Sequence, residues 1–394
     1  MNRKKDISFS RLIPAVLFSI LTLFFSLPAY AQKEDKVERF IRQGNEFYNK
    51  RDYRSAIEQY DKALSSSPNS TEALFGKGFS YFGLQQFNEA ASTFLRLTRV
   101  APNNAQAHAA LGEAYRALGQ HPNAINSYRR ALAINQNYPE VYLLMGHSLL
   151  AMKNHREAID SYNRAASLKA NYVDAYEALG VAYSNLGMYA EAIAATRKVA
   201  AVDPNHPNVY INLSWYYSLS DQHQASAEAG RMAVRNAPNN YMGYTNLCRA
   251  YNDLGRYQDA VATCKQALGI KPGDGETFYY IGRAYSSLKQ TANASAAFQK
   301  AVTGLIEFTK ERPDEADGYY LLGNAYNETK QPDQAIWSYL KAIQLKPLFP
   351  QARYNLGVTY RLAGMKREAM DQYNQLRSMD PRRAARLLQV INSR

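Results

Sequence analysis

A 34-residue period runs through this chain from Val37 and constrains it more than any other feature. Seven units follow one another to Asp274 without insertion or deletion, and three more follow after one interruption. Such a period is the signature of stacked modules, each too small to bury its apolar face alone. A stack presents a long surface. Because the repeats run to Arg383, no room is left in this sequence for a conventional enzyme domain beside them.

The same positions recur in each unit. The eighth is Gly44, Gly78, Gly112, Gly146, Gly180, Gly282, Gly323 and Gly357, with Ser214 and Cys248 in the other two. The eleventh is aromatic in every unit but one, for example Tyr81, Tyr115, Tyr251 and Tyr326, with Leu149 as the exception. The twentieth is Ala, as in Ala56, Ala90 and Ala124, except for Ser226. Two apolar-periodic segments of about a dozen residues fill each unit. Turn-prone stretches such as Asn49-Lys50-Arg51-Asp52 separate them. Small residues at positions eight and twenty let the two helices approach, and the aromatic at eleven fills the gap beside them. A Pro near the unit's end, such as Pro68, Pro102 or Pro238, stops the second helix.

This pattern resembles the tetratricopeptide repeat. The resemblance covers ten units: 37–70, 71–104, 105–138, 139–172, 173–206, 207–240, 241–274, 275–315, 316–349 and 350–383. It implies an all-α solenoid of ten helix pairs, coiled into a right-handed superhelix, with residues 384–394 completing a capping helix. Units three and four depart at the Pro position, with Gln136 and Ala170. Unit six is the most degraded, with Ser214, Ser226 and Gly230 at packing sites, so a weaker joint is expected there. In unit eight the Pro arrives seven residues late, at Pro313, and Thr303–Arg312 keeps helical periodicity. This predicts a second helix lengthened by about two turns. Its role is open between a hinge, a docking ridge and a tolerated insertion.

The N-terminus reads as a secretory leader. Arg3, Lys4, Lys5 and Arg11 are basic, Leu12 to Leu27 is apolar, and Ala29-Tyr30-Ala31 predicts cleavage before Gln32. That leaves residues 32–36 as a short segment before the array. An uncleaved anchor is the competing reading, but the apolar run is short for a span. An exported chain, periplasmic or secreted, is therefore expected. Export permits a bridge between Cys248 and Cys264, positions eight and twenty-four of unit seven, which oppose one another in an antiparallel helix pair.

The chain's net charge is +13, and residues 350–394 carry nine basic groups against Glu368, Asp371 and Asp380. Arg382, Arg383 and Arg386 fall on the last helix. They read either as a solvated cap or as a patch for an acidic protein, a polysaccharide or a lipid headgroup. Nucleic acid is not expected, since no base-reading motif is present.

No cofactor or metal is expected. The six histidines lack metal-ligand spacing, and the glycines follow the repeat instead of a phosphate-cradling run. The resemblance places a peptide-binding groove at positions 2, 5, 9, 12 and 13 of each first helix. Carried over, these positions give Tyr279, Tyr320 and Tyr354 as a stripe at position five, and Arg249 and Arg283 at nine. Phe75, Phe79 and Phe82 cluster in unit two, and Ile211 and Trp215 stand in unit six. The clamp by which some family members hold a C-terminal carboxylate is incomplete: Asn324 and Asn355 fit it, but Tyr320 stands where it needs a basic residue. The function expected is a non-enzymatic scaffold that binds a protein or peptide in the groove. Two alternatives are a component of a cell-envelope or polysaccharide-export assembly gripping an anionic polymer, and a regulatory subunit of a separately encoded enzyme.

Overall fold

The structure is a computed structural model and describes residues 36–393. The segment read as a secretory leader, residues 1–31, lies outside the described residues. Among the described residues there are α-helices and no strands. They form two compact bodies, residues 36–170 with units one to four and residues 171–393 with units five to ten.

Each unit is a helix pair. Unit two shows the pattern, with a first helix Thr71–Gly83 and a second helix Phe87–Val100. The residue closing one unit caps the next first helix. Ser70 accepts a hydrogen bond from the Ala73 amide, and Asp274 accepts one from Thr277. Such caps satisfy amides that have no partner inside the helix.

The turn between the two helices repeats without exception. Position fifteen adopts the left-handed conformation in all ten units. It is glycine only at Gly119, Gly187, Gly255 and Gly364, and otherwise Arg51, Gln85, Lys153, Asp221, Lys289 or Lys330. The amide of position sixteen then reaches back to the carbonyl of position eleven, as from Gln120 to Tyr115 at 2.8 Å. This is a Schellman ending, which uses up the last carbonyls of the first helix. The second helices of units three and four stop at Ile134 and Leu168 although Pro is absent there.

Packing within a unit differs from the sequence reading in one respect. In six units the ring opposite the position-eight glycine comes from position twenty-four, not eleven. A β-carbon on Gly112 would stand 2.5 Å from the Tyr128 ring, and one on Gly282 would stand 2.7 Å from Phe298. Tyr60, Phe94, Tyr128, Tyr162 and Tyr339 are fully buried at this position. Of the position-eleven rings, Tyr81, Tyr115 and Tyr326 are half-buried, whereas Tyr217, Tyr251 and Tyr360 are buried.

Unit six breaks this rule. Ser214 and Ser226 bond each other's carbonyls across the pair. Gly230 meets Leu247 of the next unit, and Gly243 meets Ala233, so these two glycines draw units six and seven together. The joint expected to be weak is closely packed.

Unit eight has the lengthened second helix, Thr291–Glu311. Gly304 and Gly275 let it cross the start of its own first helix at backbone contact. Beyond the crossing Leu305 and Thr309 are buried, and Phe308 lies against Gly318 of unit nine. The added turns are packed on one side, against Gly275 and unit nine, while Thr303, Glu307, Lys310 and Glu311 stay exposed. The last helix, Pro381–Asn392, closes unit ten by setting Leu387 against Gly357 and burying Ala384 and Ile391.

Within each body successive first helices touch at several joints, as Tyr241–Asp253 touches Gly275–Ser287. Successive second helices make no comparable contact. The first-helix side is therefore the inside of the curve.

Candidate partner-binding faces

On the inner face of the second body, Arg249 is the best-fixed charge. Its guanidinium lies 4.1 Å above the Trp215 ring, donates to the Trp215 carbonyl at 3.5 Å and is 4 % exposed. One turn earlier Asn246 donates to the carbonyl of Ile211, which is itself buried with Ala233 and Met242. Arg283 holds the same repeat position one unit on and pairs with Asp253 at 3.2 Å. Glu276, at position two of unit eight, is half-buried. Burial first, and then the neighbouring Asp274, pushes its carboxyl up to about 7. Both Glu276 Oε1 and Arg249 Nε lack a hydrogen-bond partner.

The tyrosine stripe is not uniformly free. Tyr279 is buried, with its ring against Tyr280 and Phe298. Tyr320 is half-buried against Phe349, and its hydroxyl accepts from Asn355 at 3.4 Å. Asn355 also donates to Asn324, whose oxygen takes the Tyr339 hydroxyl as well. These two asparagines thus knit units nine and ten together. Tyr354 is half-buried beside the cap cluster.

In the first body Phe75 and Phe79 stack at 6.1 Å, and both reach Phe94. Phe82 meets Phe87 edge-on. All three groove phenylalanines are half-buried, so each gives part of its ring to the core.

Sequence reasoning missed Glu113, Arg116 and His147. Glu113 and His147 stand at position nine of units three and four, the column that holds Trp215, Arg249 and Arg283 elsewhere, and Arg116 stands at position twelve, the column of Phe82. Glu113 is 8 % exposed, and burial pushes its carboxyl up to about 7. Burial holds His147 down to about 4, so its ring is neutral at pH 7. Its Nδ1 lies 2.9 Å from the Tyr162 hydroxyl. The column was legible, but which members are shut away from water was not. Three of the other histidines, His121, His155 and His223, share one repeat position at the start of the second helix.

Cys248 and Cys264 form a disulfide with their Cα atoms 5.4 Å apart, and both are buried. At the C-terminal end Arg382 and Arg386 are exposed. Arg383 is not part of a free patch, because it pairs with Asp380 and Asp221. Among the described residues no group of three or more His, Cys, Asp or Glu is placed to hold a metal ion. No described helix is long and apolar enough to cross a membrane.

Family models described as tetratricopeptide or TPR repeat match residues 49–114, 112–153, 146–187, 173–206, 243–274, 275–303, 323–364 and 351–383. The chain belongs to the tetratricopeptide repeat family. No curated protein matches it. Among solved structures it is similar to the C-terminal part of a TPR repeat-containing protein from Cytophaga hutchinsonii, at 18 % identity and TM-score 0.54. That match covers 61 % of this chain and 99 % of the other, and at this identity it shows the fold alone. A MamA structure matches at 27 % identity and TM-score 0.41, covering 43 % of this chain and 93 % of its own. The APC/C hetero-tetramer Cut9-Hcn1 matches at 12 % and TM-score 0.40, covering 91 % and 96 %. The tetratricopeptide repeat fold is that of a protein-interaction scaffold.

Proposed function

We propose that this protein is an exported, non-enzymatic scaffold that takes a protein or peptide partner on its first-helix faces. One observation carries the reading. The inner face of the second body sets half-buried rings beside fixed charge: Arg249 lies over the Trp215 ring, and Arg283, one unit on, pairs with Asp253. With Phe79 in the first body and Tyr320 in the second, such rings offer area with few rotamers to fix. The buried disulfide supports an oxidising compartment.

The test is a pull-down from the host's extracytoplasmic fraction, with the protein beside a Trp215→Ala, Tyr354→Ala variant and a Trp337→Ala variant on the opposite side. A discrete protein lost with the first variant and kept with the second supports the reading. Salt-sensitive capture of polysaccharide, unchanged by either, would replace it with polymer binding at Arg382 and Arg386.

A further inference from the structure

Second helices of neighbouring units are held apart by the first helix between them. Each joint therefore leaves a trough on the second-helix side, and the three troughs of the first body differ in what fills them. Between units one and two, Lys77 rises from the floor and bonds Asp61 at 2.6 Å. Between units three and four, Met145 holds the floor position, and Arg129 crosses from one second helix to Glu157 on the next at 3.3 Å. Between units two and three, Leu111 holds the floor position, and Leu95 stands where the other joints have Asp61 and Arg129. Neither bridge can form there.

This trough is open, with a volume of about 660 Å³ between Phe87–Val100 and His121–Ile134. Sites for small ligands enclose about 300–1,000 Å³ and are mostly apolar, with a few polar groups that fix orientation. Leu95, Leu111 and the half-buried Tyr115 ring make its apolar side. Asn123, Asn126, Arg129 and Arg130 make its exposed rim. Asn123 spends its NH2 on Gln120 at 3.0 Å, and Arg129 is shared with Glu157. Asn126 and Arg130 have no such tie to a described residue. Positive charge continues past the rim. The last two turns of the second helices in units two to four carry Arg96, Arg99, Arg129, Arg130 and Arg164 and no acid.

We propose that this trough binds a sugar carrying a carboxylate, a uronic acid within a carbohydrate chain. The site lies on the opposite side from the protein-binding face and does not rest on that reading. A sugar ring turns C–H groups to an apolar floor and directs its hydroxyls outward, where the Asn126 carboxamide and the Asn123 side-chain carbonyl bond them. The carboxylate meets Arg130, whose planar fork matches its two oxygens. A peptide would lay backbone N–H and C=O groups over Leu95 and Leu111, which cannot bond them. Single-stranded nucleic acid needs successive rings under its bases, and Tyr115 is the only Phe, Tyr or Trp in this lining.

Calorimetric titration of the full chain tests this, with a galacturonic acid trimer, a hyaluronan tetrasaccharide, a neutral galactose trimer and tri-glutamate. At least one of the two acidic saccharides should bind about tenfold more tightly than the neutral sugar, the worth of a charge-assisted hydrogen bond. Arg130→Gln should lose that margin. Asn126→Trp, which fills the trough from its rim, should abolish binding. Both positions are exposed, so both variants should melt as the wild type does. Arg382→Gln with Arg386→Gln should change nothing. Binding of neither acidic saccharide, or no margin over the neutral trimer, overturns the proposal. Equal binding of tri-glutamate makes the trough a surface for acidic peptide and overturns the sugar. Binding unchanged in both rim variants places it elsewhere and overturns the site.

Discussion

Cys248 and Cys264 occupy in unit seven the two places where Gly282 and Phe298 meet in unit eight. Units one to four, eight and nine fill the space between their two helices with one glycine and one ring, as Gly112 and Tyr128 do. Unit seven fills it with a covalent bond. The bridge also closes a short loop, which restricts the unfolded chain.

Denatured, unreduced protein should therefore show no free thiol by Ellman assay. Reduction, or Cys264→Ser, should lower the unfolding free energy by about 3 kcal/mol. Two free thiols in the native chain would contradict both the bridge and the oxidising compartment inferred from it.

Gly112→Ala puts a methyl group onto the Tyr128 ring. Overpacking of this kind costs about 1–3 kcal/mol. A urea midpoint lowered with an unchanged slope is the expected reading. The same substitution at Gly269, which has open space around it, should leave the tight ring contacts untouched and cost less.

The left-handed turn residue gives a prediction of opposite sign. Lys289 and Gly187 stand at the same repeat position with φ near 60° and 72°. Lys289→Gly should stabilise the chain by up to about 1 kcal/mol, because a side chain strains that conformation. Gly187→Ala should destabilise it by about as much. Thermal melts of the two variants check both signs.

Much of this architecture was legible in the sequence, and the parts that were not have physical reasons. The period, the small residues and the late Pro313 fixed the helix pairs and the lengthened helix of unit eight. The partner of the position-eight glycine was assigned to the wrong ring, because the position-eleven and position-twenty-four aromatics are both periodic. Only three-dimensional packing puts Tyr128, and not Tyr115, against Gly112. Tyr279 belongs to the groove column yet is buried, since Tyr280 and Phe298 close over it. Glu113 and His147 carry no local signal at all. Their isolation from water depends on the neighbouring helices.

Acid and base pull in opposite directions at that pair. Glu113 binds its proton more tightly in the folded state, with the carboxyl pushed by burial from its ordinary 4.5 up to about 7. The stability it contributes is full below pH 4.5 and is lost as pH rises through 7. His147 binds its proton less tightly when folded, at about 4 against 6.5. Its contribution is full above 6.5 and is lost as pH falls through 4. Between pH 4.5 and 6.5 the two slopes oppose. Glu113→Gln should unmask the histidine, so that urea midpoints of the variant climb from pH 4.5 to 6.5 more steeply than those of the wild type. Tyr128 and Tyr138, which also face Glu113, have hydroxyls pushed up by burial and do not titrate in this window.

The central claim is that partners meet this protein on its first-helix side. Site-specific photo-crosslinking in the native host tests it most directly, with the probe at Trp215 on the inner face and, separately, at the exposed Trp337 on the second helix of unit nine. The account predicts a discrete protein adduct from position 215 and none from position 337. Adducts from 337 with none from 215 would contradict it.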